Sequence, residues 1–122
     1  MPTPLYMKKA EFFKTLGHPA RIRVLELLSE GERSVGELLP EVGLEASHLS
    51  QQLGVMRRFG LVSTRKQGSA VYYALVSDDI VELLAVARKI LTGVLADQIE
   101  VLRGLQQERA AARPRRAARS GR

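Results

Sequence analysis

A mainly α-helical chain carrying a single β-hairpin in its second half is what this sequence predicts. Three observations support that reading. Apolar residues recur at helical spacing in four successive segments up to Phe59. The pattern then turns to β-branched and aromatic runs between Leu61 and Leu75. It returns to a long helical stripe after Ser77.

The first helix is expected over residues 5–16, where Leu5, Phe12, Phe13 and Leu16 alternate with Lys8, Lys9, Glu11 and Lys14. Gly17 and His18 interrupt it. Pro19 suits the first position of the next helix, because its missing N–H would have no partner there. That second helix, to about Ser29, lines up Ile22, Leu25 and Leu28 with Val24 and Leu27 beside them. Ser34 followed by Glu37 is a capping box, which opens a short third helix carrying Val35, Leu38 and Leu39 and closed by Pro40. Gly43 offers a turn. A fourth helix over about 46–59 places Leu49, Leu53 and Met56 on one face, and Gly60 stops it.

Residues 61–66 and 70–75 then form the hairpin around Gln67-Gly68-Ser69. Ser77, Asp78 and Asp79 are cap candidates for the last helix, with Glu82 three residues after Asp79. This helix should run from about Asp79 to Glu108, on the order of 45 Å at ~1.5 Å per residue. Its apolar stripe, from Ile80 to Leu105, is too wide for so small a body to cover, which points to a second copy of the chain; packing of the whole stripe within one chain is the alternative. Residues 1–108 read as one domain and 109–122 as a disordered Arg-rich tail.

Charge is unevenly distributed. The formal net charge is +6, with six basic and seven acidic residues in 1–45, three basic and six acidic in 78–108, and six arginines without an acid in 109–122. Residues 46–77 hold Arg57, Arg58, Arg65 and Lys66 and no acid, as a surface facing phosphates would require. The absence of cysteine excludes disulfides and thiolate chemistry. No Ser/His/acid set, Gly-rich phosphate loop or paired carboxylates stand at a catalytic spacing, so an enzyme is not expected. No apolar run of about 18 residues is present and the N-terminus lacks a signal-peptide pattern, so a cytoplasmic chain without membrane contact is expected.

The order short helix, turn, longer helix, hairpin is that of a winged helix-turn-helix, here α-α-α-α-β-β-α. In such a motif the second helix enters the major groove and its N-terminal residues meet base edges. With Leu49, Leu53 and Met56 facing inward, Ser47, His48, Ser50, Gln51 and Gln52 are left for that surface, all uncharged hydrogen-bonding groups. Arg65, Lys66 and Gln67 would reach a phosphate or the minor groove, or else Arg65 and Lys66 guard an edge strand. Arg57 serves either DNA or the helix dipole. The tail either adds phosphate contacts or solubilises the chain. A module that binds protein rather than DNA is the competing use of the same fold.

The segment Leu16-Gly17-His18-Pro19-Ala20-Arg21 through Leu25, the start at Ser34-Val35-Gly36-Glu37-Leu38, the helix Leu49-Ser50-Gln51-Gln52-Leu53 continuing to Val62, and Arg65-Lys66-Gln67-Gly68 with Tyr72-Tyr73 together resemble the ArsR/SmtB family of winged-helix repressors. The wording is similar to actinobacterial members without cysteine sites, the nickel-responsive Streptomyces branch among them. The resemblance implies a homodimer, built here on Leu5 and Phe12 of the first helix and Leu84, Ala87, Leu91, Val94, Leu95 and Leu102 of the last. It also implies a double-stranded, palindromic operator and repression relieved by an inducer, with a metal-responsive activator on the same face as the alternative. Glu45 and Ala46 depart from the family's Ser-Gln, leaving a helix cap and one base contact open. The family's thiolate site has no counterpart, and its other site, on the last helix, finds Asp78, Asp79, Glu82, Asp97 and Glu100 without a histidine. No cofactor is therefore expected, weak nickel or zinc binding staying open. His18 reads as a cap, with metal ligation as its alternative role.

Overall fold

The computed structural model describes residues 2–112. Its elements are α1 (Leu5–Leu16), α2 (Pro19–Leu28), β1 (Arg33–Ser34), α3 (Val35–Val42), α4 (Ala46–Phe59), β2 (Val62–Gln67), β3 (Ala70–Leu75) and α5 (Asp78–Ala111). The chain divides into two compact units, one up to Leu84 and one from Ala85 onward.

Local chemistry sets the boundaries in the first unit. His18 caps α2, its Nδ1 accepting from the Ala20 N–H at 3.2 Å, with Pro19 in the first turn. Both halves of the expected box form at α3. The Glu37 N–H donates to Ser34 Oγ at 3.2 Å, and the Ser34 N–H donates to Glu37 Oε1 at 3.1 Å. The backbone N–H of Ser34, helped by its hydroxyl, holds the Glu37 carboxyl below the usual carboxylate range. Pro40 does not close α3 as expected but lies inside it. The helix gains a further residue pair, ends at Val42, and is stopped by Gly43 in the left-handed region at φ 74°.

The core draws on three helices. Val24 and Leu25 of α2, Leu38 of α3, and Leu49, Leu53 and Met56 of α4 are wholly buried. Leu16, Leu61, Val62 and Ile80 complete the cluster. Leu83 and Leu84, in the second turn of α5, pack against it.

The hairpin forms where expected, but its first strand runs one residue later, over Val62–Gln67, and Gln67 pairs with Ala70, leaving a two-residue loop at Gly68-Ser69. Gly68 has φ 63° and Ser69 does not have positive φ, the pattern of a type II′ turn that needs glycine at its first position. A third strand was not expected. β1 pairs with β3, Arg33 with Tyr73 and Ser34 with Tyr72, making β3 the central strand in the order β1-β3-β2. Strand alternation turns Val62, Tyr73 and Leu75 toward the core. Ser63, Arg65, Gln67 and Tyr72 take the other face.

The second unit is the remainder of α5. The helix begins where Ser77 Oγ accepts from the Asp79 N–H at 3.1 Å, so Ser77 is the effective cap among the three candidates. It continues to Ala111, beyond the expected end at Glu108. Arg109 complements the helix dipole, and alanine is the strongest helix former. The rest of the expected tail, 113–122, lies outside the described residues. Leu91, Val94, Leu95, Ile99, Leu102 and Leu105 are each exposed. No helix among the described residues is long and apolar enough to cross a membrane.

Candidate nucleic-acid interface

Helix α3, the turn at Gly43 and helix α4 make a helix-turn-helix fastened by Leu38 on one side and Leu49 and Leu53 on the other, all fully buried. Burying those side chains dictates which others face away. Ser47, His48, Ser50 and Gln51 are all exposed, an uncharged run of donors and acceptors along the first two turns of α4.

Gln52 departs from the expectation. It is half-buried, and its Oε1 accepts from Arg21 Nε at 2.7 Å. Arg21 also donates through Nη1 to the Thr15 backbone oxygen at 3.0 Å. Gln52 thus ties α4 to α2 and to the end of α1. Glu45, where the sequence leaves the cap open, occupies the N-cap position without a side-chain bond to the helix. The first N–H groups of α4 consequently lack a side-chain acceptor. Arg57 is exposed in the last turn, where its charge also suits the helix dipole.

On the wing, Lys66 and Gln67 are exposed beside the Gly68 turn. Arg65 is engaged. Its Nε donates to Glu32 Oε2 at 3.0 Å and its Nη2 to Glu32 Oε1 at 2.5 Å. Its Nη1 donates to Gln67 Oε1 at 2.8 Å, and the guanidinium lies over the Tyr72 ring, 4.9 Å from the centroid. The Arg65 guanidinium holds the Glu32 carboxyl below the usual carboxylate range, and Glu32 in turn raises the arginine. A stretch free of acid in sequence is therefore not free of acid in space. The cause is β1. Tyr72 pairs with Ser34 on one side and Arg65 on the other, so the residues just before β1 arrive next to the wing. Sequence reasoning misses Glu32 altogether, and it names Arg21 and Tyr72 only within motifs, without the partners they meet here. A two-residue strand carries no periodicity that could have revealed the first of them.

The imidazole of His18 is used in capping α2 through Nδ1. Among the described residues, no group of three or more His, Cys, Asp or Glu side chains gathers as a metal site would require. Of the expected dimer contacts, Leu5 is exposed on α1, while Phe12 is half-buried against the core with its ring edge-on to Phe13 at 5.3 Å. Leu84 packs partly on the core, and Ala87, Leu91, Val94, Leu95 and Leu102 are exposed on α5.

Comparison with known proteins agrees with this geometry. The profile of the bacterial regulatory protein, arsR family, matches residues 18–64. The HTH-type transcriptional regulator Rv0081 of Mycobacterium tuberculosis is 64% identical over 104 residues, covering 84% of this chain and 91% of that protein. Its crystal structure superposes with a TM-score of 0.75 at 63% identity, over 80% of this chain and 99% of that one. A biofilm growth-associated repressor of Agrobacterium fabrum is 40% identical over 88 residues, 69% of this chain and 75% of its own. The homodimeric winged helix-turn-helix DNA-binding domain Mb0332 of Mycobacterium bovis, solved by NMR, matches with a TM-score of 0.68 at 28% identity, over 75% of this chain and 84% of that one.

Proposed function

The chain belongs to the arsR family of bacterial regulatory proteins, and on that premise we propose that it is a sequence-specific, DNA-binding transcriptional repressor acting as a homodimer. The observation that carries this reading is the exposed run Ser47, His48, Ser50 and Gln51 on a helix whose opposite face is wholly buried. These groups are of the size and hydrogen-bonding type that read base edges, glutamine pairing with an adenine edge in the major groove. A solvated helix face without that task usually carries Glu and Lys at pair spacing. Lys66 and Gln67 at the wing tip contact phosphate or the adjacent minor groove. Arg57 adds a phosphate contact beyond the end of the recognition surface. Gln52 acts one step back, fixing α4 on α2.

Two copies joined through α1 and α5 present two recognition helices to a palindromic operator in the cytoplasm. No resident metal is assigned. Cysteine is absent, α5 holds no histidine, and His18 uses its Nδ1 as a cap. Nickel or zinc added to the operator complex should leave binding unchanged.

Selection of bound duplexes from a random pool tests the reading. The expected result is a palindrome whose half-sites lie about one helical turn apart. Recovery of unrelated sequences, or of no duplex at all in dilute salt, overturns it.

A further inference from the structure

We propose that Glu32 is an internal stand-in for a DNA phosphate, holding the wing's Arg65 in a neutral pair that must exchange carboxylate for phosphate when the hairpin docks. This rests on the DNA-binding reading and adds a control on its strength.

The flat edge formed by Nε and Nη2 of an arginine fits a carboxylate or a phosphate in the same two-pronged way. In this chain that edge is filled by both oxygens of Glu32. A third N–H is taken by Gln67, and the Tyr72 ring lies beneath the cation. Arg65 is thereby laid along the outer face of the hairpin rather than offered outward. The pair is nonetheless at the surface, the two side chains being 49% and 35% exposed, so a phosphate can reach the guanidinium and compete with Glu32 for the same edge.

Charge conservation gives the consequence. When Arg65 passes to a phosphate, it neutralises one negative charge and sets another, that of Glu32, loose beside the duplex. The pair then contributes almost nothing to counterion release. Without the Glu32 charge, the same arginine contributes a full contact, about 0.9 in the logarithmic salt slope. Because phosphates carry no sequence information, the effect is equal on every duplex.

The test is the variant Glu32→Gln, which keeps the side-chain shape and one acceptor for Arg65, with Glu32→Ala as a second variant and a thermal melt to verify folding. Affinity is measured against salt on the selected operator and on random duplex, in the native chain and in an Arg65→Gln background. The expected result is binding tighter by about three- to tenfold in low salt, with a slope steeper by about one per docked wing. In the Arg65→Gln background the gain should shrink to less than about twofold, there being no guanidinium to release. Unchanged or weaker binding by Glu32→Gln overturns the exchange. So does a gain of full size without Arg65, which would make Glu32 a general repulsive charge. If the native protein binds no duplex, the DNA-binding reading itself fails. If it binds and Glu32→Gln matches it, only the exchange does.

Discussion

Gln52 places its side-chain oxygen 2.7 Å from Arg21 of α2, whereas Gln51, one position earlier, is exposed. About 100° of helical rotation separates the two. Their substitutions should therefore part company. Gln51→Ala should weaken operator binding by about 1–3 kcal/mol and leave affinity for random duplex unchanged, as a quantitative footprint on both would show. Gln52→Ala should instead lower the urea unfolding free energy by about 1 kcal/mol, since Arg21 Nε loses its acceptor while Nη1 keeps the Thr15 oxygen. Sequence patterning could identify the exposed run, because Leu49, Leu53 and Met56 fix the inward side of α4. It could not tell Gln52 from Gln51, because that requires knowing that Arg21 of a different helix packs alongside. Arg65 failed to declare itself for the same reason, its partner Glu32 standing 33 positions away.

Each helix boundary in the first unit is a local event, so most were readable in advance. The box of Ser34 and Glu37 is an example, with both reciprocal bonds formed. Ser34→Ala should cost about 0.5–2 kcal/mol in urea denaturation. The carboxyl of Glu37 is held below its ordinary range in the folded chain. Its stabilising contribution is complete above the unfolded-state pKa and fades as pH falls through the lower folded value. Glu37→Gln should accordingly flatten the acid limb of a stability profile; a limb of unaltered steepness would assign the pH dependence to other carboxylates. Elements shorter than a period are another matter. β1 spans two residues and leaves no pattern, yet it decides where Glu32 stands. Pro40, read as a terminator, is carried inside α3, where the burial of Leu38 and the caps at both ends offset its lost hydrogen bond. On the wing, Lys66→Ala should weaken binding to all duplexes alike and flatten the salt slope by about one per wing. A slope that stays put would remove Lys66 from the phosphate backbone.

For the molecule as a whole, the apolar surface of α5 is the feature that one chain does not explain. Leu91 is 57% exposed and Leu102 58%, on a helix with few charges between them. Leu91→Glu should convert a sedimenting dimer into a monomer, and operator affinity should fall with it because two linked half-sites are no longer read together. An unaltered dimer would place the interface elsewhere. The sheet has a consequence of a different kind. Its third strand touches β3 only at Tyr72 and Tyr73, so outward from there β2 and β3 have only each other. An isolated pair of strands is marginally stable in water. The ribbon is accordingly held on both edges of β3 at Tyr72 and Tyr73 and on one edge alone beyond them, so amide exchange should be faster toward Lys66 and Gln67. A tip paired on one edge alone would let the wing adjust to a minor groove whose width varies with base composition.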